Sequence, residues 1–120
     1  MSAPVNLAAV AADLSDLWNP RVVGRINEML VKVARIEGEF VWHQHDDTDE
    51  LFLVLSGELT IALPEAEVSL GVGDCYVVPR GVRHRPSATP GTTIALLEPA
   101  GVVNTGEAGG DRTAAVDQAI

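Results

Sequence analysis

Apolar residues recur at helical spacing near the start of the chain and then shift to short runs cut by turn residues. Leu7, Val10, Leu14 and Leu17 or Trp18 fall on one face of a helix predicted over 7–18, with Asn6 at its N-cap. Asn19-Pro20 ends it, because the residue before a proline avoids helical backbone. From Arg21 to Leu97 the pattern predicts strands at 21–26, 29–36, 40–45, 51–56, 59–63, 68–70, 76–78, 84–88 and 92–97. Glu37-Gly38-Glu39, Ser56-Gly57-Glu58, Pro64-Glu65-Ala66, Gly71-Val72-Gly73-Asp74, Pro79-Arg80-Gly81 and Thr89-Pro90-Gly91 separate them. Many short strands at near-regular spacing predict an all-β antiparallel sandwich or barrel. Beyond Glu98 the chain turns rich in Gly and Ala and reads as a tail with little regular structure. The expected organisation is a helical segment at 1–20, a barrel at 21–98 and a tail at 99–120, within one domain.

Alternation along 50–55 places Glu50, Phe52 and Val54 on one face and Leu51, Leu53 and Leu55 on the other. The first face is expected to line the interior. The second is also apolar and needs a cover, from the helix, the tail or a second subunit; a homodimer is the expectation.

Composition narrows the function classes. A chain of 120 residues buries roughly two-thirds of its unfolded surface, enough for a core without disulfides. Its single cysteine, Cys75, lies in an apolar stretch and reads as a buried thiol in a reducing compartment. No secretory leader pattern opens the chain, and no run of about 18 apolar residues is present, so a cytoplasmic protein without a membrane span is expected. The net charge of −9 opposes binding to nucleic acid.

All three histidines fall where they can converge. His43 and His45 are two apart and share a strand face, Glu50 heads the next apolar run after a polar turn, and His84 follows the turn at Pro79–Arg83. Three imidazoles and a carboxylate form a set suited to one divalent transition ion: Zn, Fe, Mn, Ni or Cu. Burying the Glu50 carboxylate alone costs several kcal/mol, which an ion would offset. Arg80, Arg83 and Arg85 flank His84. They read first as solvated turn residues and second as receivers of an anionic substrate, with Arg80 or Arg83 better placed than Arg85. Asp46, Asp47 and Asp49 read as a solvated turn, and Trp42 as packing.

Gly38, His43, His45, Glu50 and Gly57 resemble the first motif of the cupin superfamily, and Gly73, Pro79, Gly81 and His84 resemble the second. Two departures stand out: Gly38 is one residue closer to His43 than usual, and Ala88 replaces a common terminal asparagine. The resemblance implies a jelly-roll barrel with a short N-terminal helix, holding one metal ion on His43, His45, Glu50 and His84. It is nearest to the short single-domain cupins of the mannose-6-phosphate isomerase-like group. The function it implies is a metal-dependent enzyme on a small polar substrate: a sugar or keto-acid isomerase, or a dioxygenase. The alternative is a non-catalytic module that binds a small ligand or metal. No catalytic acid or base is identifiable from the residues alone.

Overall fold

The computed structural model describes residues 3–120. One short helix, α1 (Leu7–Asp13), precedes seven strands: β1 (Arg21–Ile26), β2 (Met29–Glu39), β3 (Glu50–Ser56), β4 (Leu59–Ala62), β5 (Glu67–Leu70), β6 (Cys75–Val78) and β7 (Arg85–Pro99). Every ladder is antiparallel, in the order β1-β2-β7-β3-β6, with β4 joining β7 to β5. The long β7 is the spine of the barrel. Its first part pairs with β4, and its second part lies between β2 and β3.

The helix stops at Asp13, short of the predicted 18. Leu14 is already extended, and Trp18 takes a left-handed φ of 59°. Tertiary contacts outweigh periodicity here. Trp18 turns into the barrel, stacks on Phe40 at 4.6 Å, and donates its indole N–H to the Glu37 carbonyl. What remains of α1 lays Leu7, Val10 and Ala11 over Val33, Ala95, Leu53 and Leu55. The outer apolar face of β3 is thus covered in large part by the chain's own helix.

Three strand boundaries differ from the periodic reading. No ladder forms over 40–45, where the backbone makes an isolated bridge between His43 and His84, donates from Phe40 to the Pro86 carbonyl and accepts at His45 from the Gly81 N–H. The predicted break at 37–39 lies inside β2, absorbed by a register shift between Ile36 and Gly38, with Gly38 at φ +74°. The predicted strands at 84–88 and 92–97 are one strand, bent at Gly91. Cys75 is exposed, contrary to the expected buried thiol. It lies on β6, an outer strand of the sheet, and alternation turns it and Val77 away from the core while Val78 points in.

Inward-facing residues form rows across the sheet. Lys32, Leu96, Phe52 and Tyr76 make one row; in the next, Leu30 pairs with Glu98, and Glu50 with Val78. The core around Ile36, Phe52, Val54, Leu59, Ile61 and Ile94 closes the barrel on one side of these polar groups. On the other side lies 100–120, which has no helix or strand and is tied to the barrel at separate points. Val22 and Ala119 form a bridge, Asn104 donates to the carbonyls of Trp18 and Arg112, and Arg112 donates to that of Glu39. Gly106 lies so close to the Gln44 carbonyl that a side chain there would collide with it.

Candidate metal centre

The bridge between His43 and His84 is a mutual one. Each backbone N–H donates to the other's carbonyl, at 3.0 and 2.8 Å, so both side chains leave the same face and their rings lie 4.2 Å apart. The two imidazoles are held alike. His43 Nδ1 meets the Val41 carbonyl at 2.8 Å, and His84 Nδ1 meets that of Val82 at 3.0 Å. A carbonyl can only accept, so the proton sits on Nδ1 and the lone pair on Nε2. His45, two residues along an extended segment, brings its ring to 5.2 Å from His43 and 5.7 Å from His84. Glu50 comes from the head of β3, its Oε1 3.5 Å from His45 Nε2 and 3.6 Å from His84 Nε2.

One ligand atom from each of the four residues lies within 4.8 Å of the other three, and all four residues are buried. His45 Nε2 and His84 Nε2 have no hydrogen-bond partner. Buried polar atoms without partners are costly, and here they face a common point at separations that suit ligands about 2 Å from one ion. The donor set fits a divalent transition metal. Burial, with the neighbouring His84, lowers the His43 pKa to about 4, so its ring is neutral and ready to coordinate at neutral pH. Burial would raise the Glu50 carboxyl, but its contacts with His45 and His84 outweigh this and hold it below the usual carboxylate range.

A cavity of about 50 Å³ adjoins the cluster, and both His43 and Glu50 line it. Its walls also carry three charged residues that periodicity did not single out: Lys32 and Glu98, each only 3% exposed, and the less buried Asp117. Burial and the adjacent Glu50 charge push the Glu98 carboxyl up to about 9. The Lys32 ammonium lies 3.8 Å from Glu98 and 2.9 Å from Asp117. The available signal was parity. Lys32 falls between Leu30, Ala34 and Ile36, and Glu98 follows Ile94 and Leu96, so each interrupts an inward apolar row. The neighbours Val31, Val33, Ala95 and Leu97 are apolar too, which hid the contrast.

The flanking arginines lie elsewhere. Arg80 is exposed beside Asp49, whose carboxylate accepts the Arg80 backbone N–H at 2.9 Å. Arg83 and Arg85 sit against the Trp42 ring at 5.7 and 5.4 Å, and Arg85 pairs with Glu39. None of the three lines the cavity. Asp46, Asp47 and Asp49 are exposed in a turn, as expected. A wider cleft of about 390 Å³ passes over His45 between Asp46, Asp47 and the segment around Gly106.

Comparison with known proteins agrees with this architecture. The Cupin domain family matches residues 29–98, which include all four clustered residues. The uncharacterized protein YdbB of Bacillus subtilis (strain 168) is 37% identical over 86 residues, 71% of this chain and 76% of that protein. A cupin-2 domain containing protein from Shewanella frigidimarina superposes with a TM-score of 0.76 at 40% identity, over 79% of this chain and 93% of that one. Hydroquinone 1,2-dioxygenase from Sphingomonas sp. TTNP3, with 4-hydroxybenzoate bound, superposes with a TM-score of 0.72 at 26% identity, covering 80% of this chain but only 31% of the enzyme. An antiparallel barrel, a His-x-His pair, a glutamate at a strand head and a third histidine bridged to the first, with the family match over residues 29–98, make this chain a member of the cupin family.

Proposed function

We propose that the protein is a metal-dependent enzyme acting on a small polar molecule that binds through oxygen. The observation that carries this reading is the adjoining cavity. His43 and Glu50 face a cavity that also holds a buried ammonium and a buried carboxyl, whereas an ion-storage site needs only its ligands. His43, His45, Glu50 and His84 would hold the ion, which supplies Lewis-acid or oxygen-activating chemistry when bound. The chain's own residues shape the rest. The Val41 and Val82 carbonyls fix the ring tautomers, Phe52 and Leu96 exclude water, and Glu98 presents a carboxyl beside Glu50. Both an isomerase of keto acids or sugars and a dioxygenase fit this arrangement, and the likeness to hydroquinone 1,2-dioxygenase supports the second. The motifs at Gly38–Gly57 and Gly73–His84 support placement among the mannose-6-phosphate isomerase-like cupins.

The test is elemental analysis of untagged protein, followed by a screen of sugars, sugar phosphates, keto acids and dihydroxybenzenes against the iron- and zinc-loaded forms. Turnover of any member that perturbs the metal spectrum supports the enzyme. Binding without turnover across the screen supports the non-catalytic module.

The protein is also expected to be a homodimer without affinity for nucleic acid. Although α1 covers Leu53 and Leu55, Val77 remains 46% exposed beside Leu51. Light scattering at micromolar concentration should give about twice the chain mass; a monomer refutes the dimer.

A further inference from the structure

The ammonium of Lys32 needs an explanation that the metal cluster does not supply. A lysine is almost never this deeply buried without a purpose-built partner, and here the partnership is uneven. Glu98, the neighbour inside the barrel, stands off at 3.8 Å. The close contact, at 2.9 Å, comes from Asp117, in the segment that has neither helix nor strand. Asp117 takes a left-handed φ of 52°, unusual for a residue with a side chain. Its Oδ1 lies 2.9 Å from the Lys32 ammonium, and its Oδ2 accepts the Gly101 N–H at 2.8 Å. Lys32, Asp117, His43 and Glu50 all border the same cavity.

We propose that Lys32 is the anion subsite of this cavity: it binds the carboxylate of a small organic acid whose far oxygen reaches the histidine–glutamate cluster, and Asp117 competes for the same place. The proposal rests on the metal-enzyme reading above and names its substrate class. Size limits that class. Adjacent inward rows of a sheet are about 7 Å apart, and Lys32 lies one row from Glu50. A cavity of about 50 Å³ has room for a few water-sized groups. An acid of two to four carbons spans and fills this space. Bringing in such an acid keeps the local charge constant, since one carboxylate replaces another on a single ammonium. Asp117 can leave without breaking the barrel, because no sheet ladder runs through it.

The test uses the full chain loaded with zinc, with pyruvate and its uncharged analogue pyruvamide as probes, titrated to millimolar concentration by calorimetry or NMR. Asp117→Asn removes the competing charge and keeps the side chain's shape. It should tighten pyruvate binding about tenfold and leave pyruvamide unchanged. Adding Lys32→Met should abolish the gain. Equal pyruvate affinity in wild type and Asp117→Asn overturns the proposal. So does an equal gain for both probes, which would mean that a loosened segment simply admits more ligand. Both outcomes are readable without the Lys32 variant, should that variant fail to fold. Metal content measured on the same samples keeps the two readings apart. Bound zinc with no pyruvate gain refutes the subsite alone, and a pyruvate gain in a chain that holds no metal refutes the metal enzyme alone.

Discussion

The two ends of the cavity are built on opposite plans. At the histidine end, four side chains point at one spot, two of them locked by carbonyls two residues behind and joined by a two-way backbone bridge. At the Lys32 end, the ammonium projects from a central strand, but its close partner belongs to a segment held by side-chain bonds, turns and one short bridge. A site meant to keep a fixed geometry is thus anchored to backbone pairing, and a site meant to exchange partners is closed by something weaker.

The sharpest way to break this contrast is at the rigid end. His84→Ala should weaken metal binding by more than about a hundredfold, since losing merely an outer partner of a ligand already costs ten- to a hundredfold. Glu50→Gln should weaken it less, because an amide oxygen still coordinates. Elemental analysis after dialysis reads both, and equal metal content in wild type and His84→Ala would dissolve the site.

Acid and base should each weaken the metal-free protein, through different groups. His43 titrates near 4 when folded and near 6.5 when unfolded. Between those values the unfolded chain binds more protons, so stability falls as pH drops, by about 3 kcal/mol in all. Glu98 is the reverse case. Raised to about 9 from an ordinary 4.5, it favours the fold fully below pH 4.5, and that contribution is lost as pH rises through 9. The metal-free protein should therefore weaken from pH 6.5 to 9, and Glu98→Gln should flatten that limb and leave the acid limb of His43 intact. Denaturant midpoints across the range read both limbs.

The smallest effect belongs to the looser end. Asn104 ties the terminal segment to Trp18 and Arg112, and its carbonyl accepts the Ala114 N–H. Asn104→Ala should speed hydrogen exchange across 100–120 while metal content is unchanged and the global midpoint moves by no more than about 1 kcal/mol. A matching loss of protection in β2 and β7 would show that the two ends unfold as one.

The same contrast explains what was legible in the sequence. The histidine–glutamate cluster was readable because histidine is rare in the chain and His43, His45 and Glu50 lie close together in sequence. The strand set was readable from alternation, though Phe40–His45 reads as a strand and makes no ladder, its backbone given to the bridge with His84. Lys32 and Glu98 were hidden because both faces of β2 and β7 are apolar, one toward the core and one toward α1. Asp117 could not be found at all. Nothing local marks it, and its place is set by contacts with residues far away in the chain, Lys32 and Gly101.

The pairing of His43 with His84 has a further consequence. These residues are 41 positions apart in the chain, so an ion bound to both is a covalent-like staple across a long loop. In the chain-entropy account used for cystine bridges, fastening a loop of that length restricts the unfolded ensemble by the equivalent of about 4 kcal/mol. The single thiol leaves no route to an internal cystine. An ion coordinated there would take over that role in this small barrel, and, unlike a cystine, it could be withdrawn by a chelator and restored without any redox chemistry.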